Sequence, residues 1–459
     1  MSPGTRRILL SIITIAAFAG LVGVWIIRGP DAMAFAGGPR TELSEYKGAN
    51  PTGVPASLAQ ASLVERGGYL ARAADCMVCH TAQGGKEYAG GLGFKLPFGT
   101  LYSTNITSDK ETGIGNYSDQ DFLNALHRGI RRDGARLYPA MPYTSYTYIS
   151  DADALAIKAY LFSLPPVYAA VPVNALAFPF NQRWGMMFWS VLFNPDTRFE
   201  PDTSKSPEWN RGAYLAEALA HCGECHTPRN LAFALNNRKK FGGALTAGWR
   251  AFNISSDKST GIGAWRDDDL ISYLSVGHAA GHGTASGPMG EAVDQSFSQL
   301  APEDIRAIVA YLRTVPSIVA PDLPATLAAP APASHRDGGT ADARGKMVFE
   351  GACVSCHGWS GESSISRFAT LTGAWAVNDP GATNVAQIVI SGTKRHTPGD
   401  AISMPAFGNA YSDAEIAAVA NYVTARFGSK GSQITAQEVR ALREQTDLPP
   451  KKWTGLSCF

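Results

Sequence analysis

Three times along this 459-residue chain a pair of cysteines two residues apart runs straight into a histidine. The copies are Cys76-Met77-Val78-Cys79-His80, Cys222-Gly223-Glu224-Cys225-His226 and Cys353-Val354-Ser355-Cys356-His357. Each follows a related leader: Arg66-Gly67-Gly68-Tyr69-Leu70-Ala71, Arg211-Gly212-Ala213-Tyr214-Leu215-Ala216 and Arg344-Gly345-Lys346-Met347-Val348-Phe349. A period of this kind means one structural unit used three times.

The units share more than their leaders. Asn105-Ile106-Thr107-Ser108-Asp109-Lys110 in the first matches Asn253-Ile254-Ser255-Ser256-Asp257-Lys258 in the second. Each unit closes with a helical pattern, preceded by Ser150…Asp153, Ala301…Asp304 or Ser412…Glu415, a capping-box-like spacing. Pro165-Pro166 and Pro316 stop the first two of these helices. The expected unit is therefore a leader helix, a Cys-x-x-Cys-His turn, a Gly-rich middle and a closing helix, with no strand-rich segment required.

Cys-x-x-Cys-His is the attachment signal for c-type haem: both thiols form thioethers with the vinyl groups and the adjacent histidine reaches the iron. Three occurrences predict three covalently bound haem c groups, on Cys76 and Cys79, Cys222 and Cys225, and Cys353 and Cys356. His80, His226 and His357 are the expected proximal ligands. Zinc would need further Cys or His ligands at fixed spacing, and no unit has a second cysteine pair. Six of the seven cysteines are used; Cys458 is left over.

The second axial ligand is expected to be methionine. After its histidine each unit offers one: Met141 in Pro139-Ala140-Met141-Pro142, Met289 in Gly287-Pro288-Met289-Gly290, and Met404 in Ile402-Ser403-Met404-Pro405. A methionine bounded by Pro and Gly reads as a rigid loop ligand rather than part of a helical apolar stripe. The rival histidines are His127, His278, His282 and His396, read as surface or haem-edge residues, with His282 the best rival because Gly281 and Gly283 flank it. Iron filled on both sides passes single electrons and has no open position for substrate. No catalytic residue set of the chain's own emerges.

Ile8–Ile27 is an uncharged run behind Arg6 and Arg7. Twenty helical residues span roughly 30 Å, a bilayer core. Its length favours a retained transmembrane anchor over a cleaved signal, and either role exports the remainder. Forty basic against 39 acidic residues argue against a nucleic-acid partner. Residues 166–208, with Trp184-Gly185-Met186-Met187-Phe188-Trp189, read as packing between the first two units or as a contact with a partner or membrane. The Pro- and Ala-rich stretch 316–340 reads as a spacer that leaves the third unit to be placed by docking.

Further segments carry a family resemblance: Tyr88-Ala89-Gly90-Gly91-Leu92, Tyr102-Ser103-Thr104-Asn105-Ile106-Thr107, Arg131-Arg132-Asp133-Gly134, Leu137-Tyr138-Pro139-Ala140-Met141-Pro142-Tyr143 and His226-Thr227-Pro228-Arg229-Asn230. Over roughly residues 60–445 the chain resembles the triheme cytochrome c subunit of bacterial membrane-bound, quinone-reducing dehydrogenases for alcohols, aldehydes and sugar acids. The resemblance implies a mainly α fold of three consecutive cytochrome c-like domains after an N-terminal transmembrane helix. The expected boundaries are 1–45 anchor or signal, 58–166, 206–316 and 341–428 for the domains, 167–205 and 317–340 for the linkers, and 429–459 for the tail. It also implies a separate catalytic dehydrogenase subunit, a small accessory subunit, delivery of electrons to ubiquinone, and a place in the inner membrane with the haem domains on the periplasmic side. A stand-alone multihaem enzyme of peroxidase type and a freestanding periplasmic carrier are the competing classes.

Overall fold

The computed structural model describes residues 27–320, 343–397 and 400–446, with scattered positions before 27. Most of Ile8–Ile27, the spacer after residue 320, and Cys458 lie outside the described residues. Among the described residues no helix is long and apolar enough to cross a membrane.

Each leader forms a helix that crosses the closing helix of its own copy. The pairs are α1 (Leu63–Ala73) with α4 (Asp151–Ser163), α6 (Pro207–Tyr214) with α10 (Pro302–Leu312), and α11 (Ala343–Ala352) with α14 (Asp413–Phe427). The leader glycine sits at every crossing. A Cβ added to Gly67 would lie 1.8 Å from the Ala156 carbonyl oxygen, one on Gly212 1.8 Å from that of Ala307, and one on Gly345 2.3 Å from that of Ala418. The Arg-Gly of the leader is thus explained by backbone contact between two helices, a separation that no side chain permits.

Between the paired helices lie α2 (Cys76–Cys79), α3 (Asp119–Arg128) and, in the linker, α5 (Gly185–Phe193); their later counterparts are α7 (Gly223–His226), α8 (Asp267–Val276), α9 (Gly287–Gln295), α12 (Val354–His357) and α13 (Thr383–Ser391). A last helix, α15 (Ala436–Gln445), begins at the full capping box of Thr435 and Glu438. Short strands do occur. β1 (Gly93–Leu96), β2 (Gly99–Tyr102) and β3 (Ala175–Leu176) form one antiparallel sheet. Three two-stranded ribbons follow: β4 (Ala244–Thr246) with β5 (Trp249–Ala251), β6 (His278–Ala279) with β7 (Gly283–Thr284), and β8 (Thr393–Thr397) with β9 (Asp400–Met404). They are turns of the middle loops rather than a layer of the core.

The closing helices depart from the expected caps in an informative way. Ser412 and Glu415 make the complete box. Ser150 accepts from the Asp153 amide, but the Asp153 carboxylate turns away to accept from the Tyr214 hydroxyl of the second copy at 2.6 Å and from the Gly53 amide at 2.7 Å. Asp304 accepts from the Tyr69 hydroxyl of the first copy at 2.6 Å and from Arg211. The leader tyrosine of each of the first two copies is therefore bonded to the closing helix of the other. One continuous core runs through both, containing Leu70, Ile157, Tyr214, Leu215 and Ile308.

The third copy has its own core, with Phe349, Ile390, Ile416 and Tyr422. It is docked on the second: Arg250 faces the buried Asp379 at 3.2 Å, Asn384 donates to the Arg250 carbonyl at 2.9 Å, and Trp375 packs edge-on to Phe252. These contacts with the second copy position the third.

Candidate haem sites

Each Cys-x-x-Cys-His is a single helical turn. The backbone amides of His80, His226 and His357 donate to the carbonyls of Cys76, Cys222 and Cys353, each at 3.0 Å. Asp75 (φ +55°) and His221 (φ +38°) take left-handed conformations that bend the chain out of the leader helix into this turn. Two thiols and an imidazole consequently leave the same turn, as thioether attachment plus iron ligation needs.

The imidazoles are oriented alike. Nδ1 of His80 lies 2.7 Å from the Thr104 carbonyl oxygen, that of His226 2.6 Å from Phe252, and that of His357 2.6 Å from Ala369. A carbonyl oxygen only accepts, so Nδ1 carries the proton and donates. The lone pair of Nε2 is left for a metal, the arrangement that fixes tautomer and ring plane in metal-bound histidine. Cys76, Cys79, Cys222, Cys225, Cys353 and Cys356 form no disulfides with one another. Burial pushes the Cys76 and Cys222 thiols up to about 12. Among the described residues no cluster of three or more His, Cys, Asp or Glu could hold a metal ion directly. The donor set fits haem c.

Met141 and Met289 pack against the shared core of the first two copies, as do Cys76 and Cys222; Met404 packs against the third core, as does Cys353. Met141 occupies the expected turn, its amide donating to the Tyr138 carbonyl at 3.0 Å. The other two differ from the expected loop. Met289 lies in the first turn of α9, because Pro288 starts that helix, and Met404 is the last residue of β9 before Pro405.

Two of the rival histidines, His127 and His278, are buried rather than at the surface. His127 on α3 is 1% exposed, with Nδ1 3.7 Å from Asp151. His282 stacks on Trp265 at 3.7 Å and lies 3.7 Å from Asp269. His278 is buried, with Nδ1 3.0 Å from the Thr284 hydroxyl. The apolar settings of all three lower their basicity. The side chain of His396 lies outside the described residues.

The sites are held against one another. Glu224, inside the second motif, accepts from Ser145 at 3.1 Å, four residues after Met141, and Tyr146 donates to the Ala74 carbonyl beside the first motif at 2.6 Å. Between the second and third, the Phe252 whose carbonyl holds His226 stands edge-on to Trp375 at 5.2 Å, and Trp375 stands edge-on to Trp265 at 5.1 Å. Thr284 donates to the carbonyl of Phe368, the neighbour of Ala369 that holds His357.

The anchoring carbonyls of Thr104, Phe252 and Ala369 escape sequence reasoning, although a signal stands beside two of them. Asn105 accepts from the Thr107 amide at 2.9 Å and donates to the Val167 carbonyl at 2.7 Å. Asn253 repeats both bonds with Ser255 and Ile318. The repeated Asn-Ile-(Thr/Ser) pins the strand end that carries the carbonyl.

A family model for cytochrome c matches residues 64–165 and 343–426. The chain is 38% identical to the fructose dehydrogenase cytochrome subunit of Gluconobacter japonicus, over 86% of this chain and 85% of that one. It is 38% identical to the gluconate 2-dehydrogenase cytochrome c subunit of Pantoea cypripedii, over 83% and 90%. With a nicotinate dehydrogenase subunit of Pseudomonas putida it shares 40% identity over 83% of this chain, and it spans 32% of that protein's length.

Proposed function

The chain belongs to the family of cytochrome c subunits of dehydrogenase complexes, and from that premise we propose that it carries three haems and relays electrons from a catalytic partner to membrane ubiquinone. Haem would be attached at Cys76 and Cys79, Cys222 and Cys225, and Cys353 and Cys356. His80, His226 and His357 would ligate one face of each iron, and Met141, Met289 and Met404 the other. Haem iron filled on both faces supplies one-electron transfer. The protein supplies the thiols, the fixed imidazole tautomers and the packing that holds successive sites together.

The observation that carries the reading is the imidazole set: three histidines, each with Nδ1 bound to a main-chain carbonyl at 2.6–2.7 Å. The partner would oxidise an aldehyde, alcohol or sugar acid, with a small accessory subunit in the complex. The haem domains would face the periplasm from the inner membrane, which accords with the bilayer-length run Ile8–Ile27. Two measurements test this. A pyridine haemochrome assay of the purified chain should give three haems per polypeptide, and two would remove one site from the set. In vesicles holding the whole complex, substrate addition should reduce all haems and then a short-chain ubiquinone. Reduced haems beside unreduced quinone would refute the acceptor.

A further inference from the structure

The linker helix α5 contains no charged residue and presents its apolar side to solvent. Trp184, at its N-cap, is 67% exposed, Met187 44%, Phe188 57% and Val191 76%. The spacing i, i+3, i+4, i+7 puts the four on one stripe. The opposite side is tied to the protein: the Ser190 and Tyr143 hydroxyls are 3.2 Å apart, and Trp189 donates from its indole to the Ala232 carbonyl at 2.7 Å. That last bond sets the loop 230–238 beside α5, where Leu231 is 98% exposed and Phe233 45%. Exposed apolar area this continuous marks a contact surface.

What covers it is indicated by the same loop. Asn230 donates to the Ile27 carbonyl at 2.9 Å, and Asn237 to that of Pro30 at 3.0 Å. The Arg238 guanidinium lies 5.5 Å from the Trp25 ring. Ile27 is the last residue of the uncharged, bilayer-length run. The loop therefore holds the point at which that run ends and, on its other side, the exposed stripe of α5. Exposed Arg28, Arg238 and Lys239 accompany it, the charge that acidic phospholipid headgroups attract. Nine residues are too few to cross a bilayer, so a helix of this length that meets a membrane lies along its interface.

We propose that α5 and the Leu231–Phe233 turn form an interfacial membrane contact, with Trp184, Phe188, Val191 and Leu231 seated among lipid acyl chains. The proposal rests on the reading of a membrane-bound relay and adds to it the face that meets the bilayer. Because α5 packs behind Tyr143 in the Met141 turn, this face lies on the side of the first haem site.

The test is lipid photolabelling of the full chain, and of the whole complex, in vesicles of phosphatidylcholine and phosphatidylglycerol containing a diazirine-tailed phosphatidylcholine. Peptides covering 184–191 and 231–233 should carry label. The double variant Phe188→Glu, Val191→Glu should lose that label several-fold while keeping its haem content, which checks that it folds. Label confined to 8–27, or α5 peptides cross-linked to the catalytic subunit in place of lipid, would overturn the assignment. Failure of the underlying reading has a separate signature: no label anywhere in the chain, and no ubiquinone reduction by the complex.

Discussion

Arg395 of the third copy reaches Asp294 of the second at 2.9 Å, and its side chain is 1% exposed. The guanidinium also donates to the carbonyls of Gly290, at 2.7 Å, and Val276, at 3.1 Å. It enters beside Gly277, where a Cβ would lie 2.1 Å from the arginine. Asp294 and Gly290 both belong to α9, the helix that carries Met289 in its first turn. One side chain of the third copy thus grips the methionine-bearing helix of the second.

Arg395→Met should therefore act at two places. It leaves the Asp294 carboxylate without its counter-charge, and breaking one side of such a buried pair costs about 3–5 kcal/mol. Denaturant unfolding should show the third copy separating from the second earlier, and, on the proposed ligand set, the sulfur–iron absorption assigned to Met289 should weaken. An unchanged unfolding profile would mean that the other contacts, Arg250 with Asp379 and Asn384, suffice for docking.

The leader glycines give a sharper steric test. Gly212→Ala places a methyl 1.8 Å from a main-chain oxygen that can retreat only if the two helices separate. Overpacking of this kind costs roughly 1–3 kcal/mol. Gly351→Ala, inside a helix and with nothing within 4 Å of the added atom, serves as the control and should raise stability by about 0.5–1 kcal/mol. Equal midpoints for the two variants in urea would contradict the crossing geometry.

Met141→Ala, Met289→Ala and Met404→Ala should each abolish one third of the sulfur–iron charge-transfer absorption and lower the potential of one haem. Redox titration of each variant, followed optically, separates the sites. A variant that keeps both the full band and its potential would lose its place in the ligand set.

His127 sets an acid limit on stability. Burial lowers its pKa from 6.5 to about 4, and among the described residues its Nε2 finds no hydrogen-bond partner. The unfolded chain binds the proton more readily than the folded one, so the contribution is complete above pH 6.5 and is lost as pH falls towards 4. At 1.36 kcal/mol per pKa unit the loss amounts to about 3 kcal/mol. His127→Gln should flatten the urea midpoint between pH 6.5 and 4 relative to the parent; an identical slope would assign the acid sensitivity to other groups.

The Cys-x-x-Cys-His turns and the helix pairs are legible in the sequence because each depends on local spacing or on a period. The same locality makes Asp153 and Asp304 read as cap residues, whereas their real partners, Tyr214 and Tyr69, lie in another copy of the repeat. His127 adjoins Phe122 and Leu126 on the buried face of α3, whereas His278 lies in a short ribbon that only tertiary packing buries. The docking of the third copy through Arg395 leaves no trace in composition, since one arginine beside a short ribbon resembles any exposed cation.

The groups that aim the three histidines have an evolutionary consequence. Thr104, Phe252 and Ala369 hold the imidazoles with main-chain oxygens, and every amino acid supplies that oxygen. Point substitution at these positions can alter packing but cannot delete the acceptor. Only an insertion or deletion that shifts the chain between the attachment turn and its carbonyl would do so. Sequence drift at the three positions is therefore cheap, whereas the length of the loops from His80 to Thr104, His226 to Phe252 and His357 to Ala369 should be the guarded quantity as the lineage diverges.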